Sequence, residues 1–175
     1  MTPFMTSTET TLIVLRGPSG SGKSSVAQAI RSDWGRPMAW IEQDYLRRIV
    51  LKEKDVPNGK NIELIKRIVT YAFERSFDVV LEGILNAGRY SGMLEDLIRQ
   101  HPRNNFFFYF DISFEETLRR HEHKRNKDEF GEKEMREWYQ VTDPLGTISE
   151  LTIPQTNTLE QTAEYITAVC QNRTL

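Results

Sequence analysis

"TLIVLRGPSGSGKSS" (residues 11–25) places three glycines, four serines and one lysine directly behind a compact apolar run. The run Thr11–Leu15 is short and β-branched, and Gly17–Pro18 stops it, which is the pattern of a buried strand entering a turn. Beyond the loop, Val26, Ala29, Ile30 and Trp34 recur at helical spacing. A glycine-rich connection loses more backbone freedom on folding than any other. The tip of this strand therefore needs bare, convergent backbone N–H groups more than it needs rigidity.

Within the stretch, "GPSGSGKS" (17–24) matches G-x-x-x-x-G-K-[ST], the phosphate-binding P-loop, and it lies between a predicted strand and a predicted helix, as that motif requires. Small residues let successive N–H groups converge on an anion, and the helix that opens near Lys23 points its positive end at the same place. The pattern predicts a nucleoside triphosphate held with Mg²⁺ by Gly17, Pro18, Ser19, Gly20, Ser21, Gly22, Lys23, Ser24 and Ser25. Lys23 reaches for the β- and γ-phosphates, and the Ser24 hydroxyl is the expected protein ligand of the metal.

Outward from the loop, short apolar runs alternate with helical patterns. Strands are predicted at 38–41, 77–83, 105–112 and 150–154. Helices are predicted at 45–54, 62–75, 92–101 and 159–171, the last with Thr158 as N-cap. A charged helical region, 114–139, breaks near Phe130–Gly131. With the first strand this makes five strands separated by helices, an α/β chain with a parallel sheet covered on both faces. No repeat, low-complexity tract or linker divides the sequence, so residues 1–175 are read as one domain.

Composition narrows the function classes. A net charge of −2 gives no global attraction to nucleic acid or an anionic membrane. The block "FFFYF" (106–110) is too short to span a bilayer, and residues 1–10 carry neither a basic nor an apolar signal segment, so a cytoplasmic protein is expected. The single cysteine, Cys170, fits a reducing compartment and reads as a small apolar filler. Trp34, Trp40 and Trp138 read as packing residues. No N-K-x-D or D-x-x-G of the GTPase kind stands in a suitable place.

Transfer of a phosphoryl group needs a second site for the acceptor and cations that close over the transferred group. At the end of the second strand, in "IEQDYLRR" (41–48), Asp44 is the candidate base for an attacking hydroxyl, with helix N-capping as its alternative role. Arg47 and Arg48 are neighbours, so only one, taken as Arg48, is expected to face the acceptor. In "VVLEGIL" (79–85), Glu82 ends a strand beside the P-loop and is a candidate for a Mg²⁺-bound water or the acceptor hydroxyl. The segment "NAGRYSGM" (86–93) offers Asn86, Arg89 and Tyr90 for reading a polar acceptor. In the charged region, Arg120 and Arg125 are the candidate phosphate clamps, with Lys124 an alternative to Arg125.

Together these motifs resemble the small P-loop kinases of the nucleoside-monophosphate-kinase type fold, nearest the branch of chloramphenicol phosphotransferase, gluconate kinase and the zeta-toxin kinases. The resemblance covers nearly the whole chain. It implies a three-layer fold with strand order 2-3-1-4-5, a helical lid over 114–139, and transfer of the ATP γ-phosphoryl group to a hydroxyl of a small molecule. It also implies Asp44 as base, lid arginines on the phosphates and "PQTNT" (154–158) near adenine. Strand two ends in "EQD" where the chloramphenicol enzyme has paired aspartates, which gives that acceptor no support. Two other readings stand beside the kinase. One is a nucleotide-binding regulatory or toxin–antitoxin module with a protein partner; the other is a polynucleotide 5′-hydroxyl kinase, which the weak net charge argues against.

Overall fold

The chain folds around a parallel sheet whose two faces are sorted by residue parity. A computed structural model describes residues 10–122 and 131–172. The strands are β1 (Leu12–Arg16), β2 (Met38–Glu42), β3 (Asp78–Gly83), β4 (Asn105–Asp111) and β5 (Leu151–Pro154), in the order β2-β3-β1-β4-β5. Every pairing is parallel, with β1 at the centre between β3 and β4.

Alternate residues of each strand feed opposite layers. Leu12, Val14, Val79, Leu81 and Phe107 pack against α2 (Lys60–Glu74) and α3 (Ala87–Gln100) through Ile65, Val69, Leu94 and Leu97. Ile13, Leu15, Val80, Phe108 and Phe110 pack against α1 (Lys23–Asp33) and α6 (Leu159–Asn172) through Val26, Ile30, Ile166 and Cys170. Because both faces are covered, β1 reads as an unbroken apolar run. Each such side chain removed from water contributes about 1.5–3 kcal/mol. Cys170 is the expected filler, and burial pushes its thiol up to about 12, which leaves it unreactive at neutral pH.

The remaining helices are short: α4 (Phe114–His121) and α5 (Glu132–Trp138). Thr158 caps α6 as expected, its Oγ1 accepting from the Gln161 N–H while Gln161 Oε1 accepts from the Thr158 N–H.

Two elements differ from the sequence expectation. The helix predicted over 45–54 is a six-residue π-helix, Tyr45–Val50, with no fully buried residue. Its wider turn sets Leu46 against the core and leaves Tyr45, Ile49 and Val50 more than half exposed. The second difference is α3, which begins at Ala87 rather than at residue 92, so "AGRYSG" is its first turn and a half and Tyr90 is fully buried. Gly88 and Gly92 hid that start, since glycine is a poor helix former.

Candidate active site

Three glycines of the loop adopt φ values open mainly to glycine: Gly17 at 140°, Gly20 at 81° and Gly22 at 95°. Space is closed to side chains as well as conformation. A Cβ on Gly17 would lie 2.8 Å from the Phe110 carbonyl oxygen, and one on Gly20 would lie 2.8 Å from that of Thr117. The loop is thus wrapped tightly over β4 and α4, and α1 opens directly from Gly22.

Lys23 is buried, and its Nζ donates to Gly17 O (3.0 Å), Pro18 O (2.7 Å) and Ser21 Oγ (3.0 Å). Its ammonium therefore lies across the inside of the loop, braced by the residues the motif supplies. The Ser24 hydroxyl donates to Glu82 Oε1 at 2.8 Å, which brings together the two residues expected around the metal. Glu42 stands directly opposite Glu82 on the neighbouring strand. Burial, then Glu82, then Asp44, raises the Glu42 carboxyl above its ordinary value.

One hydroxyl and a concentration of carboxylates form an all-oxygen group, the donor chemistry that suits Mg²⁺. Among the described residues no three His, Cys, Asp or Glu side chains form a metal cage. Mg²⁺ needs none, because it keeps several waters and takes phosphate oxygens of the nucleotide. Sequence reasoning missed Glu42, although its place two residues before Asp44 on the same strand edge was a readable signal.

The raised Glu42 pKa makes a prediction. The folded protein holds this proton more tightly than the unfolded chain, so the group's stabilising contribution is complete below about pH 4.5 and is lost as the pH rises through the raised value. Glu42→Gln is therefore expected to raise Tm at pH 7 and to leave it nearly unchanged at pH 4. The same variant should gain less stabilisation from Mg²⁺ with AMPPNP than wild type does. Calorimetric scans at the two pH values, with and without Mg²⁺·AMPPNP, check both statements.

Arg120 crosses from α4 onto the loop. Its Nη1 donates to Ser21 O (2.9 Å), Nη2 to Gln155 O (3.0 Å) and Nε to Glu116 Oε1 (2.6 Å). Hydrogen bonds from Arg119 and Arg120 hold the Glu116 carboxyl down to about 2, so this brace stays ionised throughout the neutral range. Arg119 itself pairs outward with Glu116 and is exposed. The Arg120 contact also places Gln155, in the loop expected near adenine, beside the phosphate loop. Arg125 and its alternative Lys124 lie outside the described residues.

Beyond the end of β2, both oxygens of Asp44 are taken by guanidinium donors, Arg47 Nη2 at 2.5 Å and Arg48 Nη1 at 3.1 Å. The two neighbouring arginines share one carboxylate, contrary to the expectation that only one would face this side. Asp44 makes no side-chain capping bond to the helix it precedes, so the capping role is not adopted. Arg89, offered from the sequence as a reader of a polar acceptor, pairs with Asp55 Oδ2 at 2.8 Å. Tyr90 is the hub of this side. Gln43 Nε2 donates to its oxygen at 2.7 Å, and Asp55 Oδ1 and Asn61 Oδ1 both lie 2.8 Å away, competing for one hydroxyl proton. Burial, then the bond to Asp55, pushes the phenol well above its usual range.

A second network was invisible in the sequence. Arg16, the last residue of β1, is fully buried one position before the loop. Its guanidinium donates to Asp143 Oδ2 (2.6 Å), to both oxygens of Glu150 (3.0 Å each) and to the carbonyls of Asp143 and Leu85. Asp143 in turn accepts from the Ala87 N–H at the start of α3. One arginine thereby ties the central strand to the return segment after α5 and to the start of α3. Its partners stand 127 and 134 residues away in the chain, beyond the reach of any local pattern.

Neither a protein-family model nor a curated protein matches the chain. Solved structures do, at low identity. A gluconokinase from Sinorhizobium meliloti 1021 is 19% identical with a TM-score of 0.65, over 94% of this chain and 93% of that one. The Mycobacterium tuberculosis APS kinase in complex with AMPPNP and APS is 15% identical with a TM-score of 0.70, over 93% and 98%. The Deinococcus radiodurans tunicamycin resistance protein is 15% identical with a TM-score of 0.61, over 91% and 95%. These likenesses show the fold. The chain has the three-layer P-loop kinase fold, with the strand order that its sequence resemblance implied.

Proposed function

We propose that the protein is an ATP-dependent kinase that moves the γ-phosphoryl group onto a hydroxyl of a small-molecule acceptor. The observation that carries this reading is the arrangement at the phosphate pole. Lys23 is braced inside the loop, Arg120 lies across its rim at Ser21, and the Ser24–Glu82 pair sits at the head of α1. Two cations and an oxygen-lined metal position around one loop are what stabilisation of a transferring phosphoryl group requires.

In this reading Ser24, with Glu82 and Glu42 beside it, would hold Mg²⁺. A bound ion would supply neutralisation of the charge that develops on the phosphates. Lys23 and Arg120 orient the phosphates, and Arg120 also excludes water along the rim. Asp44 accepts the acceptor's proton once the hydroxyl displaces one of the two guanidinium donors from its carboxylate.

The experiment is a coupled ADP-release assay with Mg·ATP against sugars, sugar acids, nucleosides, nucleotide sugars, aminoglycosides and a 5′-hydroxyl oligonucleotide. One acceptor class raising ADP release above the rate without acceptor supports the reading; no class doing so, with ATP binding intact, counts against it. Asp44→Asn should lower turnover by about 10²- to 10⁴-fold, the usual contribution of a general base, and leave ATP affinity unchanged. Full turnover in that variant removes Asp44 from the role.

One observation favours a second reading, a nucleotide-dependent module that binds a protein. Tyr45, Ile49, Val50, Leu51 and Val56 are exposed apolar residues within one twelve-residue stretch beside Asp44. A partner complex whose affinity differs between ATP and ADP, without acceptor-dependent turnover, would support it.

A further inference from the structure

A narrow cleft opens on the phosphate loop itself. Gly17 and Pro18, whose carbonyls hold Lys23 Nζ, form its floor, and Ile84, Tyr109 and Trp138 form its walls. It therefore begins beside the atoms that carry the phosphate-binding lysine, over the ends of β3, β1 and β4. Strands in a sheet stand about 4.8 Å apart, so Asp44, which follows β2, lies roughly one strand beyond Ile84.

The chemistry of this cleft differs from that of the arginine-rich side. Its charged wall is Asp143, bound with Glu150 to the fully buried Arg16, so this trio carries one carboxylate more than it has cations. Arg47, Arg48 and Arg89 are committed to Asp44 and Asp55 on the other side. The remaining polar wall is the neutral amide of Gln140, whose Oε1 accepts from Asn86 Nδ2 at 3.0 Å. A second negative charge here meets the Asp143–Glu150 excess as well as the transferring phosphoryl group. A flat, uncharged face meets aromatic walls and amides.

The volume is only about 10 Å³, room for a single water, so a larger occupant must move a wall. A shift of Trp138, the more exposed of the two aromatic walls, would open the cleft. Trp138 ends a seven-residue helix and is 38% exposed, the most exposed of the three tryptophans.

We infer that this cleft seats the acceptor, with Trp138 as the stacking face, and that the seated part is an uncharged ring of the sugar or nucleoside kind. The inference rests on the kinase reading for the word acceptor, but the binding it describes is measurable without turnover. Trp138, read from sequence as packing, becomes a residue that selects the acceptor, and Asp143 a group that repels anionic ones.

The test is a set of ligand-observed NMR titrations on the full chain with saturating Mg²⁺·AMPPNP. The probes are neutral pyranosides, furanosides and nucleosides, each beside its charged counterpart, such as glucose with glucuronate and uridine with uridine monophosphate. Open-chain glucitol and gluconate serve as ringless controls. At least one neutral ring is expected to bind at least tenfold more tightly than its charged and open-chain counterparts. Trp138→Ala should weaken it about tenfold, Trp138→Phe should restore it to within about threefold, and AMPPNP affinity should hold in both.

Binding of charged or open-chain probes as tight as that of the rings, or of no neutral ring at all, overturns the inference, as does unchanged affinity in Trp138→Ala. ADP release is measured separately with the same probes and protein variants, with Mg·ATP in place of Mg²⁺·AMPPNP. Ring binding that depends on Trp138 without any ADP release overturns the kinase reading and leaves the cleft's ring selectivity standing.

Discussion

Lys23→Ala is expected to lower acceptor-dependent ADP release by about 10³-fold, the upper range for removing one donor that meets charge developing in a transition state. That corresponds to about 4 kcal/mol of lost stabilisation. The geometry adds a second consequence. Lys23 Nζ holds Gly17 O, Pro18 O and Ser21 Oγ, so its loss also leaves loop carbonyls without a donor. The variant should therefore bind AMPPNP more weakly as well as react more slowly. Steady-state ADP release and a direct nucleotide titration separate the two effects. Turnover within tenfold of wild type would show that the phosphoryl group is stabilised elsewhere.

Arg16→Met should be the most destabilising single change near the site. Breaking a buried ion pair by removing one partner costs about 3–5 kcal/mol, because the other charges stay buried without compensation. Asp143 and Glu150 are only 14% and 10% exposed, so both are left in that condition. For a chain of this size each kcal/mol shifts Tm by about 2–4 °C, which places the expected fall near 10 °C. The companion variant decides the cause. Arg16→Met combined with Asp143→Asn and Glu150→Gln should lose less than Arg16→Met alone, since contacting residues are not additive. Thermal scans of the three proteins check this, and a triple variant less stable than the single one would contradict the charge argument.

The sheet was legible because its signals are local. Five short apolar runs became five strands, and the parallel, doubly covered arrangement follows from their alternation with helices. The loop was legible down to single residues, since Lys23, Ser24 and the glycines sit where the spacing put them. Glu82 and Arg120, singled out from the sequence, both touch this loop segment, Glu82 accepting from the Ser24 hydroxyl and Arg120 donating to Ser21 O.

What stayed hidden depends on contacts between distant residues or on a change of helical period. The Arg16 network spans more than a hundred residues, and an arginine at a strand end reads from sequence as merely polar. The Tyr90 hub joins Gln43, Asp55 and Asn61 across three elements, and Tyr90 itself sat in what read as a loop because of its flanking glycines. The π-helix escaped because a 3.6-residue period cannot show an extra residue per turn. Arg47 and Arg48, three and four residues beyond Asp44, share its carboxylate.

Phosphoryl transfer to a small molecule at this loop is tested by following the transferred label. ATP carrying ³²P at the γ position is incubated with the protein, Mg²⁺ and the acceptor panel, and the products are separated by chromatography. Label is expected on an organic acceptor with wild type, with almost none for Lys23→Ala and strongly reduced transfer for Asp44→Asn. Label found only in ATP and inorganic phosphate with wild type, across the whole panel, would contradict this transfer.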